Sequence, residues 1–208
     1  MADYETISLL LQQGRKAKLV EAVQAAVEEG APAREILDDG LIAGMNMVGE
    51  RFKNNEVFVP EVLISARAMN AGVEVLKPAL TEAGVTSKGT AVIGTVKGDM
   101  HDIGKNLVRM MLEGKGLKVV DLGVDVGPER FVEAAEENHA DVICCSALLT
   151  TTMSVMADVV KLAKEKGAHA KVLIGGSPIT QAYCDAIGAD GYSPDAASAS
   201  DLALSFCS

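Results

Sequence analysis

The sequence predicts an α/β protein in two parts. An N-terminal bundle of four or five helices occupies residues 1–88, and a flavodoxin-like domain with a five-stranded parallel sheet occupies residues 89–208. Three observations carry this reading. Up to about residue 83, apolar residues recur at steps of three and four, the spacing of one helix face. From residue 90, apolar runs of strand length alternate with helical stretches, a rhythm that yields right-handed crossovers and a parallel sheet covered on both faces. Between the two regimes, residues 83–89 (Ala-Gly-Val-Thr-Ser-Lys-Gly) are short, polar and glycine-flanked, as a boundary should be.

In the first part, residues 4–29 predict two short helices parted near Gly14. Leu19, Val20, Val23 and Val27 form the apolar stripe of the second, and Gly30 is its stop. Pro32 opens the next helix in its first turn, where a missing N–H costs nothing. Ile36, Leu37, Leu41, Ile42, Met45 and Val48 continue one apolar face, interrupted at Gly40. Pro60 then starts a longer helix carrying Val62, Ala66, Met69, Val73 and Leu76. Met45, Met47 and Met69 read as bundle core or as an adaptable contact surface.

In the second part, candidate strands are 91–96, 117–122, 141–146, 171–175 and a weaker 188–192. Candidate helices are 103–114, 128–138, 151–166, 180–186 and 195–206. Five strands in this arrangement favour the order 2-1-3-4-5, whose switch point, where ligands bind in open α/β sheets, lies between strands 1 and 3.

Composition narrows the classes. Of 208 residues, 49% are hydrophobic, 23% charged and only 3% aromatic, so the core is built from Val, Leu, Ala, Ile and Met. The net charge is −10, and both parts are acidic, which argues against a nucleic-acid partner. No apolar stretch reaches the roughly 20 residues of a membrane span, and the N-terminus lacks the features of a secretory leader. The four cysteines have no C-x-x-C spacing, and Cys144 and Cys145 fall in a strand as buried thiols. The expected location is cytoplasmic.

The chemistry concentrates in residues 98–108. Asp99, His101 and Gly104 make the pattern D-x-H-x-x-G on the loop between the first strand and the next helix. An imidazole that ligates a metal usually donates its other ring N–H to a carboxylate, which fixes its tautomer, and Asp99 stands two residues before His101. Gly104 would let a bulky ligand approach the helix start. The plainer alternative is a surface histidine with Asp102 as an ordinary helix cap.

Ser146 to Thr152 follow the third strand, on the other side of the same crevice. Gly175 and Gly176 end the fourth strand, and Tyr192 and Ser193 follow the fifth at that edge. No phosphate-binding G-x-x-x-x-G-K-[ST] and no G-x-S-x-G nucleophile elbow occur. His139 and His169 read as solvated positions without a role.

D-x-H-x-x-G, then S-x-L at Ser146 and Leu148, then Gly175-Gly176, in that order, resemble the signature of cobalamin-binding proteins. Residues 44–50 (Gly-Met-Asn-Met-Val-Gly-Glu) and 59–62 (Val-Pro-Glu-Val) resemble the helical cap of the methionine synthase cobalamin module, although Glu61 stands where that module tends to have a bulky apolar residue. Size and layout are similar to the small corrinoid proteins of methyltransferase systems acting on methylamines, methanol, methoxylated aromatics or quaternary amines.

The resemblance implies a bound cobalamin or related corrinoid whose own base is displaced from cobalt by His101, with Asp99 on the second ring nitrogen and the Thr152 hydroxyl extending the relay. By the same resemblance, Gly98, Met100, Asp102, Ile103, Gly104, Ser146, Leu148, Thr150, Gly175, Gly176, Tyr192 and Ser193 contact the corrin or its nucleotide tail, and Glu50 lies near the corrin from the cap. The cap would have to move aside for a partner, with residues 84–89 as its hinge.

The implied function is a methyl carrier. Cobalt(I) accepts a methyl group from a substrate-specific methyltransferase and passes it to a second methyltransferase, with a folate or a thiol coenzyme as acceptor. A separate reductive activase completes the partner set, because 208 residues hold neither a substrate barrel nor a reactivation domain. The competing expectations are the cobalamin-binding subunit of a carbon-skeleton mutase and a cobalamin sensor or storage protein.

Overall fold

The computed structural model describes residues 3–207. The chain divides into two compact units, Met1–Ser87 and Lys88–Ser208.

The first unit is helical. Helix α1 spans Tyr4–Gln12, capped by the Asp3 carboxylate, which accepts from the Thr6 N–H at 2.9 Å. Gly14, in the left-handed region at φ +63°, turns the chain into α2, Lys16–Glu28. After Pro32 come a single turn, α3 (Ala33–Glu35), a π-helical segment Ile36–Ile42, and α4 (Ala43–Lys53), all continuous.

The interruption expected at Gly40 is therefore not a break but a widening of the helix. A side chain at Gly40 would meet Ile7 Cγ2 at 2.9 Å, so the glycine lets α1 lie close against the widened turns. Helix α5, Val59–Glu82, begins where Glu61 reaches back to accept from the Phe58 N–H at 3.0 Å. That contact gives the unexpected Glu61 a capping task. Leu11, Leu19, Val23, Ile36, Leu41, Val62 and Leu76 form the core, together with Met45 and Met69, whereas Met47 is half exposed.

The second unit is a five-stranded parallel sheet in the order β2-β1-β3-β4-β5. Its strands are β1 Thr90–Thr95, β2 Lys118–Asp121, β3 Val142–Ser146, β4 Lys171–Gly175 and β5 Gly191–Ser193. The helices are α6 Ile103–Gly114, α7 Pro128–Glu137, α8 Ser154–Glu165, α9 Gln181–Ile187 and α10 Ala196–Ser205. Alternate strand residues face two apolar layers. Val92, Ile143 and Ile174 pack with Phe131 of α7, Met156 of α8 and Cys184 of α9. Ile93, Val142, Cys144 and Leu173 pack with Leu112 of α6 and Ala199 and Ala203 of α10. Burial pushes the Cys144 thiol up to about 12, so it behaves as a small apolar side chain.

Most boundaries shift by a residue from expectation, and those of β5 and α8 shift further. The fifth strand runs Gly191–Ser193 rather than 188–192, so Tyr192 and Ser193 end the strand itself and do not follow it. Helix α8 starts at Ser154 rather than 151, because Thr152 is committed to a local turn in which both its N–H (3.1 Å) and its hydroxyl (2.9 Å) donate to the Leu149 carbonyl. Among the described residues, no helix is long and apolar enough to cross a membrane.

The pairing register fixes the edge that matters. Thr95 pairs with Ser146, Ser146 with Gly175 and Gly175 with Ser193, so four small residues stand in one row across β1, β3, β4 and β5. Just beyond the row, a Cβ on Gly176 would lie 1.9 Å from the Ala147 carbonyl oxygen, and its φ of +133° is closed to other residues. Gly176→Ala should therefore destabilise the chain by about 3 kcal/mol, combining backbone strain with overpacking. Gly123→Ala, with φ +82° but nothing within 4 Å of the added carbon, should cost only about 1–2 kcal/mol. Urea unfolding of the two variants measures the difference.

Candidate cofactor site

The site grows from the end of β1. The loop that follows turns at Gly98, φ +85°, where an added side chain would press on Thr152 Cγ2 at 3.3 Å. It then buries the Asp99 carboxylate completely. Asp99 Oδ1 accepts from the His101 N–H at 3.0 Å and lies 2.7 Å from His101 Nδ1. Asp99 Oδ2 accepts from the N–H groups of Leu148 (2.8 Å) and Leu149 (3.2 Å) and from the Thr152 hydroxyl (3.2 Å).

Desolvation alone would push this carboxyl up. The donors from His101, Leu148 and Leu149 outweigh it and hold the group well below the ordinary carboxylate range. Asp99 is therefore an anion that only accepts. The hydrogen between it and His101 sits on Nδ1, and Nε2 is directed away from the carboxylate, an acceptor in the neutral ring.

The His101 side chain is about half exposed (52%). Its loop also presents Met100 and Ile103, and the facing loop presents Leu148 and Leu149, all large apolar side chains open to solvent. Apolar groups held outward together mark a binding surface. A side chain at Gly104 would touch nothing within 4 Å, so the protein's own packing does not require glycine there.

Two more contacts steady the histidine. Thr95 Oγ1 donates to the His101 carbonyl at 2.8 Å. Lys105, buried on α6, donates to both oxygens of Asp121 at 2.7 Å. Burial raises the Asp121 carboxyl, but Lys105, the Gly123 N–H and Arg109 together bring it below its ordinary value.

The predicted residues are thus sorted. Gly98, Asp99, His101, Leu148 and Thr152 are brought together, with Met100 and Ile103 flanking them. Thr150 is exposed on the facing loop. Ser146, Gly175 and Ser193 stand in the edge row, and the buried Ser193 hydroxyl donates to the Asp195 carbonyl at 2.9 Å. Asp102 precedes α6 but its carboxylate accepts from Asn106 Nδ2 at 3.2 Å rather than capping the helix. Glu50 belongs to the helical unit, paired with Lys53 at 3.4 Å.

His139 and His169 are exposed and line an open hollow of about 310 Å³ where β3 and β4 begin, at the opposite end of the sheet. Sequence reasoning missed Thr95, Leu149, Lys105 and Asp121. A lone hydroxyl at the end of an apolar strand was the available sign for Thr95, and a lone lysine on an amphipathic helix for Lys105.

Chemically, the arrangement offers one imidazole nitrogen in an apolar surround. Among the described residues, no cluster of three or more His, Cys, Asp or Glu side chains could hold a metal ion. A metal bound at His101 must therefore arrive with its other ligands already in place, as in a flat, largely apolar macrocycle. These residues fit such a group.

Fold and site together define a flavodoxin-like domain that carries a carboxylate-held histidine in an exposed apolar surround. The chain belongs to the B12-binding domain family, whose profile matches residues 89–200, and a second B12 binding domain profile matches residues 4–77. It is 48% identical over 188 residues to dimethylamine corrinoid protein 1 of Methanosarcina acetivorans, covering 89% of this chain and 88% of that one. It is 43% identical over 190 residues to a corrinoid protein of Desulfitobacterium hafniense, covering 89% and 88%. Among solved structures it resembles the methanol:cobalamin methyltransferase complex from Methanosarcina barkeri, with TM-score 0.85 and 34% identity over 97% of this chain and 78% of that one. A cobalamin-binding protein from D. hafniense gives TM-score 0.83 and 29% identity over 99% of both chains.

Asp99→Asn should test the hub without any ligand. Asparagine replaces one acceptor oxygen with an NH2 group that must face N–H donors, so the chain should lose about 2–3 kcal/mol. In the wild type, the Asp99 contribution is fully present above its ordinary value of 3.8 and is lost as the pH falls through its lower folded value. Below about pH 4, wild-type stability should therefore fall by up to about 1.4 kcal/mol per pH unit on account of this group, and this component should be missing from Asp99→Asn. Thermal unfolding from pH 7 to pH 2 reads both effects.

Proposed function

We infer that this chain is a corrinoid methyl-carrier protein, working between a methyltransferase that takes the methyl group from a donor and a second one that passes it to a folate or thiol coenzyme. The single observation that carries the reading is the His101 ring, held at Nδ1 by a buried carboxylate and offering Nε2 within an exposed apolar rim. Family membership supports it, as do relatives described as dimethylamine and trimethylamine corrinoid proteins.

When bound, the corrinoid supplies a cobalt that can take up and release a methyl group, and the protein supplies ligation, orientation and shielding. In this reading His101 Nε2 would hold the cobalt, and Asp99 fixes the ring's tautomer and aim. Gly98 gives the loop its turn. Met100, Ile103 and Leu148 face the ring, and Gly104 and Asp102 border it at the start of α6. The row of Ser146, Gly175 and Ser193, with Thr150, Gly176 and Tyr192 beside it, would hold the cofactor's nucleotide tail. Because Ala147 already requires Gly176 to be glycine, any tail contact there is through backbone.

Thr152 has one hydroxyl hydrogen and two acceptors, Leu149 O at 2.9 Å and Asp99 Oδ2 at 3.2 Å. It can add to or withdraw from the Asp99 donor set without leaving its turn. A reductive activase is the third partner. The four free thiols support a cytoplasmic location.

The purified chain should bind one corrinoid with its lower base displaced. In the cobalt(II) protein, His101→Ala should remove the histidine nitrogen coupling from the electron spin resonance spectrum. Coupling that persists with the lower base confirmed displaced would overturn the ligand assignment. Gly104→Ala should leave unfolding of the cofactor-free chain unchanged or slightly improved, since alanine is the better helix former, yet weaken corrinoid retention measured by equilibrium dialysis. Alone, the loaded protein should turn over no methyl donor. Spectral conversion of its cobalt(I) form by purified candidate methyltransferases, each with its own donor, would identify the partner.

A further inference from the structure

The loop after β2 holds the histidine loop from outside. Asp125 sits at φ +57°, a left-handed conformation that residues other than glycine adopt seldom and at some cost. In that conformation it meets the loop at two points. Its Oδ1 accepts from the Gly98 N–H at 2.7 Å, and its own N–H donates to the Asp99 carbonyl at 3.1 Å. Neighbouring bonds extend the clamp along β1. The Thr95 N–H donates to the Gly123 carbonyl, and the Val126 N–H to the Thr95 carbonyl, both at 3.0 Å.

The root of the clamp is pinned as well. Asp121 accepts from the Gly123 N–H at 2.9 Å and from Lys105, four residues beyond His101. The backbone just before His101 and the helix just after it are therefore tied to the same short loop. Glycine would satisfy the left-handed backbone at position 125 without strain. What the aspartate adds is the short bond to Gly98.

We propose that Asp125 is a positioning residue for the axial ligand: through Gly98 and Asp99 it fixes how far the His101 ring is presented, and so sets the strength of ligation. This rests on His101 being the ligand, and the test separates the two claims. Asp125→Gly removes the acceptor and keeps the backbone conformation. Asp125→Asn keeps an acceptor in a residue that tolerates the same conformation.

In the cofactor-free protein, hydrogen exchange at the Gly98 amide should quicken about tenfold in Asp125→Gly and return to near wild type in Asp125→Asn. In the loaded protein, ligation in Asp125→Gly should weaken about tenfold, the lower end of what outer partners of a metal-bound histidine contribute. If only the cobalt(II) state holds the histidine, this is an upward shift of about 59 mV in the cobalt(II)/cobalt(I) midpoint potential, and Asp125→Asn should restore it. His101→Ala, measured alongside, should shift the potential in the same direction and lose the nitrogen coupling.

If His101→Ala behaves so while Asp125→Gly matches wild type in potential and exchange, the positioning role is overturned and the ligand assignment stands. A shift that Asp125→Asn fails to restore also overturns it, since the acceptor would not be the cause. If His101→Ala itself leaves the spectrum and potential unchanged, the ligand assignment has failed instead.

Discussion

Everything at the functional edge depends on one buried negative charge. Asp99 has no contact with solvent, and an isolated carboxylate in that position would cost many kcal/mol or give up its charge. It remains ionised because donors from two separate loops converge on it: the His101 backbone and ring on one oxygen, and Leu148, Leu149 and Thr152 on the other. One group thereby settles three matters. It decides which histidine nitrogen carries hydrogen, where the ring points, and how the loops after β1 and β3 are spaced.

The sheet makes that convergence possible. Parallel strands bring every C-terminal end to the same side, and the order β2-β1-β3-β4-β5 sets β1 and β3 next to each other, although about fifty residues separate Asp99 from its partners. The register then aligns Thr95, Ser146, Gly175 and Ser193. At a strand spacing of roughly 4.8 Å, this makes a row of small side chains roughly 14 Å long beside the histidine. Bulk is kept out of the row and supplied around the ring, by Met100, Ile103, Leu148 and Leu149.

Much of this was legible in the sequence, and for clear reasons. Strand–helix alternation and the two apolar periodicities are local properties, so the element order and the sheet order could be read from them. The Asp99–His101 pair was legible because both residues lie on one loop. What escaped was contact over distance. Asp125 looks like any turn aspartate until its left-handed backbone and its Gly98 contact are seen. Lys105 looks solvated until Asp121 is found beneath it.

The glycines divide in an instructive way. The resemblance gives Gly175, Gly176 and Gly104 contacts to the cofactor; the Ala147 carbonyl by itself already requires glycine at 176, whereas at Gly104 the protein itself demands nothing. The interruption of the apolar face at Gly40 falls inside the π-helical segment, where the missing side chain also leaves room for Ile7.

The sharing of Asp99 between two loops has a consequence for motion. If the loop carrying Leu148 and Leu149 lifted away alone, it would strand a desolvated anion, and if the loop carrying His101 left alone, it would strand two backbone donors. Partial departures are penalised from both sides, so the segments on either side of the carboxylate form a cooperative unit that opens together or stays shut. One carboxylate thus ties the stability of the loop after β1 to that of the loop after β3.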